Sequence, residues 1–153
     1  MKFTPSNIFY TELAGLYAKH AEHRLRYLDA IDQLIATEAA PHGKMIDVGA
    51  GDGSRSIKLR ALLGAKSMTL VDNSDGMLAL LHGVKDATVV KADISNPEFN
   101  HNEKYRAVFC LWNVLGHIQD RERRLCALKN LASLLEDGGS IFLDVNNRYN
   151  FSH

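Results

Sequence analysis

The sequence predicts an α/β protein built on a mostly parallel sheet of about five strands with helices on its faces. Three observations carry that reading. The stretch Lys44 to Leu59, KMIDVGAGDGSRSIKL, reads as an apolar strand, a glycine loop and a helix in succession. Further apolar runs follow, separated by segments long enough to cross a sheet, and such crossovers join parallel strands. The carboxyl ends of the runs carry polar residues out of keeping with their apolar bodies: Asp47, Asp72, Asp93, Asn113 and Asn146. Ligands of open α/β sheets bind at those ends.

Residues 1 to 8 read as a leading arm. From Phe9 to Ala39, apolar residues such as Leu13, Leu16, Tyr17, Leu28, Ile31 and Ile35 recur at helical spacing, with Gly15 weakening the first half. Two helices, or one broken helix, should therefore cover the sheet before Pro41 and Gly43 end the segment. Tyr17, His20, His23, Arg24 and Arg26 are within chain reach of a ligand. Met45, Ile46 and Val48 form the first strand. Gly49, Gly51 and Gly53 then leave a bare backbone that turns tightly and admits a ligand closely. Ser54 is placed to cap the following helix, and Gly64 to stop it.

Ser67 to Val71 is the second strand and ends in Asp72. Ser74 or Asp75 can cap a short helix through Met77, Leu78, Leu80 and Leu81, closed by Gly83. Ala87 to Val90 is the third strand, running into Lys91, Ala92 and Asp93. Tyr105 to Leu111 is the fourth, and Trp112 to Gln119 its exit loop or short turn. Asp120 can cap a helix from Arg121 to Glu136, stopped by Gly138 and Gly139. Ser140 to Val145 is the fifth strand, followed by Asn146 to Asn150.

Composition narrows the function. The 153 residues suit one domain with a substantial core. Lysine plus arginine and aspartate plus glutamate number 18 each, so no net positive charge draws the chain to nucleic acid. The nearby Arg121, Arg123 and Arg124 read as a solvated helix face. Cys110 and Cys126 read as reduced core thiols of a cytoplasmic protein. No apolar run approaches the ~18 residues of a membrane span, and the 7 histidines show no metal-ligand spacing.

Several motifs in order resemble those of the class I S-adenosylmethionine (SAM)-dependent methyltransferases of the small-molecule type. IDVGAGDG looks like the first motif, LVDNSDGML the second, KADI the third and FCLWNVLGHI the fourth. LEDGGSIFLDVNN is similar to the turn and fifth strand that follow. The resemblance implies a three-layer Rossmann-like fold with strand order 3-2-1-4-5. Residues 44–153 would form its core and residues 1–43 a helical cap.

The resemblance also implies a donor site. Gly49, Ala50 and Gly51 would pass close to the methionine tail, with Asp47 bonding its amino group directly or through water. Asp72, followed by Asn73, would accept the ribose hydroxyls. Met77 would pack on the adenine, or serve as plain core. Asp93 would accept from the adenine amine, with Ala92 beside it and the Ile94 N–H donating to the ring. The main chain of Cys110 and Leu111 would meet the methionine end. A nicotinamide dinucleotide domain is the alternative, but its Gly-x-Gly-x-x-Gly loop would place the last glycine where Ser54 stands, and KADI would have no role.

Methyl transfer from a sulfonium needs mainly positioning and exclusion of water. His117 is the candidate base and Asn113 the candidate acceptor-orienting group, and each is equally placed for packing or backbone bonding. The stretch after strand four is not Asn-Pro-Pro-Tyr, which argues against amino-group methylation of nucleic-acid bases. The chain ends at His153, whereas the fold it resembles continues with a helix and an antiparallel strand pair. Two readings follow: a methyltransferase acting on a small molecule with S-adenosylhomocysteine (SAH) as product, or a truncated module that binds SAM or SAH without catalysis. Either the chain is a piece of a longer one or a partner covers the strand-five edge, and a homodimer that buries this edge is expected.

Overall fold

The computed structural model describes residues 5–17, 25–39 and 42–146. Helix α1 (Ser6–Leu13) and a 3-10 turn (Ala14–Leu16) precede helix α2 (Leu25–Glu38). The chain then alternates through β1 (Lys44–Val48), α3 (Ser54–Leu63), β2 (Ser67–Asp72), α4 (Asp75–Leu81), β3 (Ala87–Lys91), β4 (Tyr105–Cys110), α5 (Val114–His117), α6 (Arg121–Ser133) and β5 (Leu135–Leu143). His20, His23 and Arg24, and residues 147–150, lie outside the described residues.

The sheet has the order β3-β2-β1-β4-β5, and every neighbouring pair is parallel. Alternation along β1 sorts the core into two layers. Met45 joins Ile35, Leu59, Leu70 and Phe109 on one face, where α2 and α3 pack. Ile46 and Val48 join Val71, Val108, Ala127 and Leu131 on the other, under α6. The same alternation sends Asp47 toward α3. Strand order reverses between β1 and β4, and the ligand crevice of such a sheet opens at that point.

Local chemistry fixes the boundaries. Ser74 caps α4, its hydroxyl accepting from the Met77 N–H at 3.3 Å, and Asp120 caps α6, accepting from the Arg123 N–H at 2.8 Å. Gly64 ends α3 at φ +58°. Three expectations are corrected. Gly53, not Ser54, is the cap position of α3; the Ser54 N–H and hydroxyl both donate to Asp52, which does the capping. Helix α6 ends at Ser133 rather than Glu136, because Leu134 and the following residue turn inward to join the sheet, with Leu134 fully buried. Gly138, at φ +73°, therefore lies in a bulge of β5, where the partners of Tyr105 and Ala107 jump from Leu135 to Ser140.

The arginines at the start of α6 do not form a purely solvated face. Arg123 pairs with Asp93, and Arg124 donates to the carbonyls of Ile118 and Gln119. Helix α1 differs from α2 in having no buried residue; it packs on α4 rather than on the sheet. Gly76 allows the approach, since a Cβ there would stand 2.7 Å from Thr11 backbone atoms.

Candidate functional site

A cavity of about 380 Å3 opens at the carboxyl ends of β1, β2 and β4. Its floor is the glycine loop and the strand ends: Gly49, Gly51, Asp72, Asn73, Met77, Ala92, Asp93, Ile94 and Leu111. Asn113 and His117 come from the exit of β4. The structure thus gathers on one wall residues that are far apart in the chain. Asp47, Ala50 and Cys110 do not line it. Asp47 is 4% exposed and sits behind the loop, where its carboxylate accepts from the Ser56 hydroxyl at 2.6 Å. Cys110 is buried within the sheet, and burial pushes its thiol up to about 12.

The loop is held open by backbone geometry that favours glycine. Gly49, Gly51 and Gly53 all have φ between +58° and +79°. A Cβ on Gly51 would meet the Tyr17 ring and hydroxyl at 3.0–3.2 Å, so a side chain there would fill the space between the loop and Tyr17. Asp72 sets the loop's position: Oδ2 accepts from the Gly51 N–H at 3.0 Å and Oδ1 from the Ser74 N–H at 2.9 Å. Burial raises the Asp72 carboxyl above its usual range, while bonds from the Ser74, Gly51 and Asn73 backbones pull the other way. Three of the carboxylate's roughly four acceptor sites are thus engaged, which leaves one for an incoming hydroxyl.

Asp93 is more committed. Oδ1 accepts from the Ser95 N–H and hydroxyl at 2.9 and 2.6 Å, and Oδ2 from Arg123 at 2.7 Å. Its side chain remains 37% exposed, so the Arg123 bond is open to exchange with another donor. Met77 is 1% exposed, a core residue by burial, and it also lines the cavity.

Trp112 and Asn113 both take the left-handed conformation, φ +60° and +62°, which non-glycine residues adopt at a cost. Two bonds hold Asn113 there. The Asn113 N–H donates to Asp144 at 2.6 Å, and Asn113 Oδ1 accepts from the Asn146 N–H at 3.0 Å. Asn113 therefore ties the exit of β4 to the end of β5. His117 follows on α5, half-buried, and burial lowers its pKa, which leaves the ring neutral near pH 7.

The roof was not legible in the sequence, apart from Tyr17. Ser6, Phe9, Tyr10 and Leu13 of α1 reach over the cavity, and Trp112 closes one side. Tyr10 packs edge-on against Tyr17 at 6.3 Å and His117 at 5.4 Å, and Tyr17 against Trp112 at 5.4 Å. Arg26 does not line the cavity. No spacing signal marks Phe9 and Tyr10, which read as the start of an ordinary amphipathic helix.

Fold and site together define a Rossmann-like methyltransferase: a parallel 3-2-1-4-5 sheet, a bare loop after β1, and acids at the ends of β2 and β3 on one cavity. A family model described as "Methyltransferase domain" matches residues 45–139. The chain belongs to this family, the class I SAM-dependent methyltransferases.

It is 32% identical over 123 residues to the ubiquinone biosynthesis O-methyltransferase of Xanthomonas campestris pv. campestris, an alignment covering 77% of this chain and 49% of that protein. The chain thus spans about half the length of the curated relatives it matches. Among solved structures, the DhpI–SAH complex superposes with a TM-score of 0.75 at 20% identity, covering 88% of this chain and 64% of its own. A SAM-dependent methyltransferase from Clostridium acetobutylicum gives 0.70 at 22% identity, covering 90% and 59%. These likenesses establish the fold. No described helix is long and apolar enough to cross a membrane.

Proposed function

We propose that this chain binds SAM in the cavity above Asp72 and Asp93 and takes part in methyl transfer to a small-molecule acceptor. One observation carries the reading: both strand-end carboxylates and the side-chain-free loop line the same cavity. Asp72 accepts the ribose hydroxyls while it holds the loop through Gly51. Asp93 exchanges Arg123 for the adenine amine, and the Ile94 N–H donates to the ring. Met77 packs beneath the adenine. Gly49 and Gly51 leave room for the methionine tail, with Leu111 beside it. Asp47 acts from behind the loop, by fixing its base through Ser56. When bound, the cofactor supplies a methyl group already activated by its sulfonium. His117 serves as the base, and Asn113 keeps the β4 exit in place beside it.

The curated relatives named as O-methyltransferases support a hydroxyl acceptor. A non-catalytic SAM- or SAH-binding module stays in play because the chain spans about half of those relatives. In either case we expect a cytoplasmic protein that pairs with a second copy along β5, whose outer edge carries Leu143 at 43% exposure and is followed by Val145 at 65%. Calorimetric titration with SAH tests what both readings share: no heat at millimolar ligand rejects them together. Turnover against a panel of phenols, acids and amines separates them.

A further inference from the structure

The hydroxyl of Tyr10 lies 2.9 Å from Nε2 of His117, and the two residues come from opposite ends of the described chain. Both line the cavity. The contact matters because Nε2 is the ring nitrogen a proton acceptor on the cavity side needs, and Tyr10 already engages it. With Nε2 engaged, the Tyr10 hydroxyl stands between that nitrogen and an acceptor hydroxyl approaching it.

The position of Tyr10 is fixed by the neighbouring residue. Thr11 Oγ1 meets Ser74 Oγ at 3.0 Å, and the Ser74 N–H is bonded to Asp72. Gly76 removes the side chain that would push α1 away. A bonded path thus runs from the acid that would hold the cofactor's ribose to the helix that carries Tyr10. Burial, and secondarily the charge of Asp72, raises the Tyr10 pKa, so the phenol keeps its proton at neutral pH and can donate it.

We propose that Tyr10 is a catalytic residue: its hydroxyl takes the acceptor's proton while passing its own to His117. This rests on the methyl-transfer reading above. The step balances. The acceptor O–H bond breaks as its oxygen gains the methyl group. Tyr10 ends with a hydroxyl, as it began, and Nε2 of His117 gains a proton. The departing sulfur keeps the pair of the broken C–S bond, so one positive charge disappears from sulfur and one appears on the imidazolium. Proton exchange with a tyrosine hydroxyl suits an acceptor hydroxyl of similar acidity, such as that of a phenol.

The test uses the whole chain, SAM as methyl donor for turnover, SAH for affinity, and two acceptor probes, catechol and the more acidic 4-nitrocatechol, at about pH 8 where the neutral imidazole predominates. Tyr10→Phe should leave SAH affinity unchanged and lower kcat on catechol by about 10²–10⁴-fold, the usual range for a lost proton-transfer group. The loss should largely vanish on 4-nitrocatechol, which arrives already ionised. Equal losses on both probes, or none on catechol, overturn the relay. A second readout needs no variant: ¹⁵N spectra of the wild-type chain should show His117 as the Nδ1–H tautomer with Nε2 accepting, and an Nε2–H tautomer overturns it. SAH binding without turnover of either phenol sinks the relay and leaves the cofactor site standing. Absence of SAH binding instead removes the reading beneath it.

Discussion

The carboxylate of Asp72 accepts a hydrogen bond from the backbone N–H of Gly51, 21 residues earlier in the chain, at 3.0 Å. One acid at the end of β2 therefore sets the shape of the loop after β1 and faces the cavity that the loop opens. Replacing it removes two functions at once. Asp72→Ala should weaken SAH binding by about 1–3 kcal/mol, as expected for lost hydrogen bonds to a charged group. Calorimetry reads this directly, and wild-type affinity in the variant would show that Asp72 does not hold the ligand.

Asp47 lends stability a pH dependence. Burial pushes its carboxyl from 3.8 up to about 6, with the Ser56 bond and the Arg55 charge relieving part of the cost. The folded chain therefore binds this proton more tightly than the unfolded chain. The stability it contributes is fully present below about pH 3.8 and is lost as pH rises through about 6. Two pKa units correspond to about 3 kcal/mol. Asp47→Asn keeps an acceptor for Ser56 and carries no charge. It should raise the melting temperature near pH 8, with the gain fading toward about pH 4, and a gain independent of pH would overturn the assignment.

Gly49 couples the loop to the exit of β4. Its φ is +79°, and an added Cβ would stand 2.3 Å from Val114 Cγ2. Gly49→Ala should cost about 1–3 kcal/mol from backbone strain alone, and more if α5 cannot shift. Chemical denaturation measures the loss. A neutral substitution would mean that the loop relaxes freely, contrary to its bonds with Val71 O.

Arg123 and the adenine amine would compete for the same oxygen of Asp93. Removing the arginine frees that oxygen, so Arg123→Ala should leave SAH affinity unchanged or tighten it. Asp93→Ala should weaken it by about 1–3 kcal/mol. The exposed ion pair itself is worth about 0–1 kcal/mol to folding, so thermal stability should barely move. Weaker binding in Arg123→Ala would instead make the arginine a ligand contact.

Strand β5 ends the described sheet with its outer edge unpaired. Such edges pair with other chains unless they are covered. Light scattering at micromolar concentration should find a dimer, and Leu143→Lys with Val145→Lys should dissociate it. A monodisperse wild-type monomer would show that two copies do not pair along this edge.

Much of the fold was legible because strands and glycine loops announce themselves locally. Met45, Ile46 and Val48 form an apolar run, three glycines follow, and Asp72 ends the next run, so the first strands, the bare loop and the strand-end acid are readable locally, while the strand order came with the family resemblance. The helix end at Ser133 was not legible. Gly138 and Gly139 gave the stronger local stop signal, yet full burial of Leu134 outweighed it. Asp47 had the right place in its motif, but its orientation depends on which face of β1 meets α3. Phe9 and Tyr10 gave no signal, because an aromatic residue on a short helix reads alike whether it meets a core or a ligand.

The sequence by itself determined the parallel α/β architecture, the bare loop, and the acids at the ends of β2 and β3, since each follows from short-range pattern and backbone freedom. Only the tertiary structure decided what roofs the cavity and which groups meet there. Tyr10 reaches His117 across 107 positions because Gly76 lets α1 settle on α4. Contacts between such distant segments depend on how packed elements fit, and no local pattern encodes that.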